Sequence, residues 1–277
     1  MKLENRTAFI TGAASGLGAE IARAFAREGA RVFVTDVDGE GAERVARECA
    51  GITAGARWAR CDVSDSSSVR AAFRSFDDAL GALDVLVNNA GIVHRVPEYV
   101  ERVRSTMEAQ LLETMAGEGV KTHAQFVEGI TDEMFDRMLK IHLYGTFYCT
   151  REALPRMRAH GGGRIVNMGS IMGSASLAGA PDYCAAKGAI MAFTRAVARE
   201  AATYGVLVNA IAPGFIETPL LDDLDETARR VVRMQTPLAR LGVPEEIAAV
   251  AVFLAGPDST FMTGQVVSPN GGIYMSQ

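Results

Sequence analysis

The sequence predicts an α/β fold, with helices covering both faces of a mostly parallel sheet. Three observations predict it. Short β-branched runs alternate with longer helical patterns along the whole chain. A glycine-rich turn joins the first run directly to the first helical pattern. No internal repeat, low-complexity tract or Pro/Ser linker divides the chain, so residues 1–277 read as one domain.

Strands are expected at 7–11, 31–36, 57–61, 84–88, 164–168, 206–211 and 265–268. Helices are expected at 17–28, 41–50, 66–80, 133–158, 183–204 and 245–254. Gly29 and Gly51 stand where left-handed helix caps belong, and Pro244 stands where a first-turn proline belongs. One connection breaks the rhythm, from Ile92 to about Thr131. Within it Val100, Val103, Met107, Leu111, Leu112 and Met115 recur at helical spacing, which predicts an extra helix over 98–115, ending near Gly117 and Gly119. That helix reads either as a surface or subunit contact or as a cap over a substrate mouth.

Composition excludes several classes. No stretch approaches the ~18 consecutive apolar residues of a membrane span, and the start of the chain lacks a signal-peptide pattern, so a cytoplasmic protein is expected. The net charge is −5 with both signs scattered, so neither nucleic acid nor a membrane surface is an expected partner. Cys49, Cys61, Cys149 and Cys184 form no CxxC pair and have no zinc-ligand spacing; they read as reduced, mostly buried thiols, with no metal site. His94 and His123 read as solvated loop residues. Met168, Met172, Met191 and Met262 read as packing, and Trp58 as core or half-buried.

The turn after the first strand reads Thr11-Gly12-Ala13-Ala14-Ser15-Gly16-Leu17-Gly18. Glycines there permit a tight turn and a close backbone approach to a pyrophosphate. The following helix start offers unpaired N–H groups and a positive dipole end. The second strand ends at Asp36, where a carboxylate can accept both hydroxyls of an adenosine ribose and repel a 2′-phosphate. Val37-Asp38 follows, with no Arg or Lys immediately after Asp36, so the expected cofactor is NAD.

Tyr183 and Lys187 stand four apart in a helical pattern, hence on one face. Ser170 follows the strand at 164–168, at the carboxyl edge of the sheet. Oxidising an alcohol by hydride transfer requires a base for the hydroxyl proton. A phenol ordinarily ionises near pH ~10, and using it near pH ~7 takes about 4 kcal/mol of anion stabilisation. An ammonium about 4 Å away supplies roughly that at an effective dielectric of ~20. Tyr183 is therefore the expected base, Lys187 its acidifying partner and Ser170 the group that holds the substrate oxygen.

Together these residues resemble the classical short-chain dehydrogenase/reductase family, and the resemblance covers nearly the whole chain. It is carried by the run from Thr11 to Gly18, by Asp62-Val63, and by Asn88-Asn89-Ala90-Gly91. It continues through Ser170, Tyr183 and Lys187 to Asn209-Ala-Ile-Ala-Pro213-Gly214 and Thr218. The resemblance implies a Rossmann fold, a doubly wound seven-stranded parallel sheet. It implies that Asp62 and Val63 lie near the adenine, and Asn89, Ala90 and Gly91 along the adenosine ribose. Lys187 would also bind the nicotinamide ribose, and Pro213, Gly214, Ile216 and Thr218 the nicotinamide end. A homotetramer or homodimer is implied, joined through the helices at 133–158 and 183–204.

Two departures stand out. The family carries an asparagine where this chain has His142, in Ile141-His142-Leu143-Tyr144-Gly145. The asparagine shapes its helix and holds a water that relays protons to the lysine; His142 either joins that relay or only fills the space. The second departure is the long 92–131 connection. The 215–240 segment closes over substrate in the family, and here Leu220, Leu221, Leu224, Val231, Val232 and Met234 would make it an apolar lid. The expected substrate is a small secondary alcohol/ketone pair with apolar surface, such as an alicyclic, terpenoid or steroid-like compound. A 3-oxoacyl-[acyl-carrier-protein] reductase, a non-catalytic dinucleotide-binding protein and an extended-branch epimerase or dehydratase remain as other readings. The first usually has a basic residue where this chain has Ala14-Ser15.

Overall fold

The computed structural model describes residues 1–117, 119–176, 178–222 and 225–275. Seven strands form a single parallel sheet: β1 (Thr7–Thr11), β2 (Arg31–Asp36), β3 (Arg57–Arg60), β4 (Val85–Asn88), β5 (Gly163–Met168), β6 (Val206–Ile211) and β7 (Val266–Val267). Their order is β3-β2-β1-β4-β5-β6-β7, the doubly wound Rossmann arrangement. The central strands are apolar on both faces because both faces are covered; every residue of β1 and β4 is buried.

One face is covered by α1 (Gly16–Arg27), α2 (Gly39–Ala50) and α9 (Pro244–Ala255), whose Ile21, Phe25, Val45, Ile247 and Ala251 pack on Ile10, Val32 and Val34. The other is covered by α3 (Ser66–Leu80), α6 (Gly145–Ala159) and α7 (Pro181–Ala201). There Phe9 stacks on Phe73 at 4.2 Å, with Phe33 and Phe76 edge-on to each other at 5.5 Å. Carboxylates start the helices. Asp65 accepts from the Ser67 and Ser68 N–H groups to cap α3, and Asp38 accepts from Gly41 N–H to cap α2, each cap contributing about 1 kcal/mol.

Among the described residues α4 (Pro97–Met115) and α8 (Glu226–Gln235) lie outside this double layer, while α5 (Asp132–Leu139) packs on α7. The extra helix expected over 98–115 is α4. The helix expected over 133–158 is α5 and α6 joined by a π-helical turn, Lys140–Tyr144. Within the expected lid, α8 is a helix that the sequence reading did not anticipate, capped by Asp225 accepting from Ala228 N–H. Leu224 lies outside the described residues.

Several local expectations are corrected. Gly29 is left-handed at φ 89, but Gly51 is right-handed at φ −72, because α2 ends in an ordinary helical turn. Trp58 is exposed, since β3 is an edge strand. His94 is mostly enclosed rather than solvated, whereas His123 is exposed. Cys49, Cys61 and Cys149 are buried free thiols and Cys184 is partly buried. Met168 and Met191 are buried as expected.

Candidate active site

The strand order reverses between β1 and β4, and at that point a crevice opens at the carboxyl edge of the sheet. A cleft of about 1530 Å³ occupies it. Of the residues expected from the sequence to form the site, all but Gly18 line this cleft.

The loop after β1 is shaped by contacts that only glycine tolerates. Gly12 has φ 61, and a Cβ there would lie 2.6 Å from Ala90 Cα. Gly18 faces inward, so its role is close packing rather than lining; a Cβ there would lie 2.2 Å from the Gly12 carbonyl oxygen. Asn89 staples this loop, its amide donating to the Thr11 and Gly12 carbonyls at 3.0 and 2.8 Å. The Thr11 hydroxyl accepts from the Asn89 and Ala90 N–H groups. Ser15 begins α1 in an extended conformation without a side-chain capping bond, leaving the helix start open to an anion.

Asp36 lies at the end of β2. Its carboxylate accepts from Ala14 N–H and Asp38 N–H, both at 3.0 Å, which points it at the glycine-rich loop. Two arginines approach the same corner through the fold. Arg44 donates to the Ala14 carbonyl at 3.0 Å and Arg60 to the Val37 carbonyl at 3.1 Å. Asp62 is tied by Ser64, whose hydroxyl donates to it at 2.6 Å.

Deeper in the cleft, Ser170 leaves β5, Tyr183 and Lys187 project from the first turns of α7, and Ser170 hydrogen-bonds the Tyr183 phenol. The Ser170 hydroxyl also accepts from Met172 N–H at 3.1 Å. Lys187 is buried and donates to the Met168 carbonyl at 2.8 Å; its Nζ lies 5.6 Å from the Tyr183 ring centroid. Burial pushes Tyr183 up to about 12, against the opposing pull of the Ser170 hydrogen bond, and pushes Lys187 down to about 7. The sequence reading expected the ammonium to acidify the phenol. In the chain by itself, enclosure opposes both charges. A phenolate there requires further positive charge from a bound group.

His142 sits in the π-helical turn, 1% exposed, with its ring edge-on to Tyr183 at 5.4 Å. Its Nε2 lies 3.0 Å from Ile92 N and 2.9 Å from Ile92 O, so it pins the backbone just after β4. Its Nδ1 is buried with no partner among the described residues. π-Turns inside helices recur at functional sites. Burial, with Lys187 nearby, drives His142 down to about 3. Between pH ~3 and ~6.5 the unfolded chain therefore holds one more proton at this residue than the folded chain. Stability should fall as pH drops through that window, by up to about 1.4 kcal/mol per pH unit from this residue. In urea unfolding at pH 4, 5, 6 and 7, His142→Asn should lose about one proton's worth of that slope. An unchanged slope would show that the imidazole is not held neutral.

The extra helix α4 walls the cleft with Val100, Val103, Met107 and Leu111, facing Val231 and Val232 of α8. Sequence reasoning missed one feature of this wall. His94 bonds Asp182, which stands immediately before Tyr183, at 2.6 Å. The acid alone reads as an ordinary first-turn residue of a helix, and nothing local links it to a histidine 88 positions away. Among the described residues, no cluster of metal-ligating side chains occurs.

Residues 6–229 match the family model described as short chain dehydrogenase. The chain belongs to the short-chain dehydrogenase family. It is similar to an uncharacterized oxidoreductase, YxbG, of Bacillus subtilis: 38% identical, over 98% of this chain and 92% of that protein. It is 37% identical to a cis-4-hydroxycyclohexanecarboxylate dehydrogenase of Sinomonas cyclohexanicum, over 96% of each. Among solved structures it resembles a 3-ketoacyl-(acyl-carrier-protein) reductase from Brucella melitensis complexed with NADH. The TM-score is 0.83 and the identity 31%, over 99% of this chain and 100% of that one. As a short-chain dehydrogenase the protein is an oxidoreductase of nicotinamide-cofactor type, and none of its described helices is long and apolar enough to cross a membrane.

Proposed function

We propose that this short-chain dehydrogenase uses NAD to interconvert a secondary alcohol and a ketone on an apolar, alicyclic frame. The observation that carries the reading is the convergence of Ser170, Tyr183 and Lys187 in one cleft with the glycine-rich loop and Asp36. NAD, when bound, supplies the hydride acceptor and, in its oxidised form, a positive charge beside the phenol. Its fit rests on the glycine cradle around Gly12, the open start of α1 and the carboxylate of Asp36. In this reading the cofactor is held by Gly12, Ser15, Gly16, Leu17, Asp36, Asp62, Val63, Asn89, Ala90 and Gly91. Pro213, Gly214, Ile216 and Thr218 hold its nicotinamide end, and Gly18 packs beneath the loop.

Ser170 donates a hydrogen bond to the substrate oxygen, and Tyr183 accepts its hydroxyl proton as the carbon loses hydride. Lys187 keeps further N–H donors beyond the one given to Met168, enough to hold the cofactor ribose and favour the phenolate. His142 positions the Ile92 backbone, and its free Nδ1 suits the proton-relay role. The apolar walls of α4 and α8 favour a substrate with hydrocarbon surface, in keeping with the relative named for a hydroxycyclohexanecarboxylate. The same reading makes the protein a cytoplasmic homotetramer or homodimer, with the exposed Tyr144 and Phe147 on the first of the contact helices. Neither a membrane nor nucleic acid is a partner. A panel of secondary alcohols assayed with NAD tests the reaction; no turnover of any of them would remove it.

A second reading, reduction of 3-oxoacyl thioesters, is favoured by the Brucella neighbour and by Arg44 and Arg60 near the ribose end. Turnover of a 3-oxoacyl thioester against that of an alicyclic ketone separates the two, and cofactor choice tests Asp36. Wild-type kcat/KM should favour NAD over NADP by at least about tenfold, the effect of about 1.4 kcal/mol of repulsion between Asp36 and a 2′-phosphate. Asp36→Ala should erase most of that ratio. An NADP preference in the wild type, or a ratio untouched by the substitution, would remove Asp36 from that role; turnover of the thioester with none of the alicyclic ketone would transfer the assignment to the thioester reading.

A further inference from the structure

The proposed hydride transfer uses neither His94 nor Asp182, yet the fold encloses both beside Tyr183. His94 Nε2 lies 2.6 Å from Asp182 Oδ2, with the imidazole side chain 11% exposed and the carboxyl side chain 0%. Asp182 Oδ1 is buried too and meets no hydrogen-bond donor among the described residues. A carboxylate enclosed in this way, with one oxygen unanswered, is costly unless a cation neutralises it. The imidazole is placed to do so. An imidazole that carries both protons gives Nε2–H to such a carboxylate and retains Nδ1–H as a second, charge-assisted donor.

The ring is held in one orientation. Tyr99 packs edge-on against it at 5.1 Å, and the Tyr99 hydroxyl is itself tied to the Gly179 carbonyl at 3.1 Å. His94 lines the substrate side of the cleft, where Val100, Val103 and Met107 are apolar. Arg95, next in the chain, lines the same wall and donates to the Pro219 carbonyl. The nearby acids Glu108 and Asp225 are within 4 Å of Arg104, at 3.7 and 3.9 Å. The wall therefore sets a rigidly held imidazole in a hydrocarbon surface, bonded to the residue that precedes the proposed base.

We propose that His94, braced by Asp182, is a specificity-determining residue that binds a carboxylate on the substrate, which is thus a hydroxy acid whose two functional groups are separated by an apolar frame. The substrate class rests on the dehydrogenase reading above; the anion site does not. A neutral acceptor could take the same hydrogen bond, but a charge-assisted bond to a carboxylate is roughly twice as strong.

The test is calorimetric binding to the protein saturated with NAD. Its probes are cyclohexanecarboxylate and cyclohexanecarboxamide, matched in shape and lacking a hydroxyl to oxidise. The wild type should bind the acid at least about tenfold more tightly than the amide. His94→Gln keeps a donor for Asp182 but no charge, and should remove that preference. Asp182→Asn, acting from the other side of the pair, should do the same. A merely structural pair would weaken acid and amide alike and leave their ratio intact. Equal affinity for the two probes in the wild type, or a preference that survives in both variants, overturns the proposal. Wild-type turnover of cyclohexanol with NAD is measured alongside; its absence would sink the dehydrogenase reading while the binding ratio still decides the anion site.

Discussion

Tyr183→Phe is expected to lower kcat for alcohol oxidation by about 10³-fold or more, with thermal stability close to wild type. The substitution removes one oxygen and keeps the ring, so the edge-on packing against His142 at 5.4 Å persists. What disappears is the oxygen proposed to accept the substrate proton while Ser170 holds the substrate oxygen. Stability should hold because the buried phenol is no strong asset to the fold: enclosure raises it to about 12, against the pull of Ser170. The pH profile follows with its sign. Oxidation requires the phenolate, so the wild-type rate should rise with pH until the phenol is ionised in the NAD complex. Lys187→Met removes the nearest ammonium and should move that rise to higher pH while also weakening NAD binding. Steady-state rates from pH 6 to 10 with the best alcohol of a panel provide the check. A loss below about tenfold in Tyr183→Phe would mean that another group accepts the proton.

The sequence carried the layered part of the fold nearly to the residue. Each of the seven strands lies within one residue of its expected bounds; β1, β2, β4 and β5 do so because strands covered on both faces appear as apolar runs ended by Gly, Asp or Asn. The helix α4 was readable for a similar reason, since Val100, Val103 and Met107 repeat at helical spacing and face one wall. Helix α8 was not. Its Val231 and Val232 stand among Arg229, Arg230 and Arg233, and its inward face is a cleft rather than a core, so the apolar stripe is too thin to announce a helix. The π-turn at Lys140–Tyr144 was invisible because α5 and α6 continue one helical pattern through it.

The site divides along the same physical line. Ser170, Tyr183, Lys187 and the glycine-rich loop, which line one cleft, could be singled out because they stand at short spacings within one or two elements. The pairing of His94 with Asp182, and the approach of Arg44 and Arg60 to the Asp36 corner, depend on how distant elements fold together. The protonation balance of Tyr183 and Lys187 depends on enclosure, which spacing does not report: an ammonium near enough to acidify a phenol in water is itself made less basic when both are buried.

Packing beneath the glycine-rich loop leads to the second large effect. Gly18→Ala is expected to destabilise the protein by about 3 kcal/mol or more, a fall in Tm of roughly 6–12 °C, and to weaken NAD binding by at least about a hundredfold. The added methyl would lie 2.2 Å from the Gly12 carbonyl oxygen, 2.5 Å from the Asn89 amide nitrogen and 2.9 Å from Ala13 Cα. Two of the three are backbone, and the third is the side chain that staples the loop by donating to the Thr11 and Gly12 carbonyls. None can yield without moving either the turn or the start of α1, so the helix would tilt away and the anion cradle would open. Gly16→Ala is the matched control. It has φ 55, so a side chain there is strained, but its Cβ would find nothing closer than 3.8 Å. Strain without collision costs about 1 kcal/mol, and the loop should keep its shape. If Gly16→Ala proved as damaging as Gly18→Ala, backbone conformation rather than close packing would govern the loop. If both were mild, the short contact beneath Gly18 would not be what holds the cradle in place.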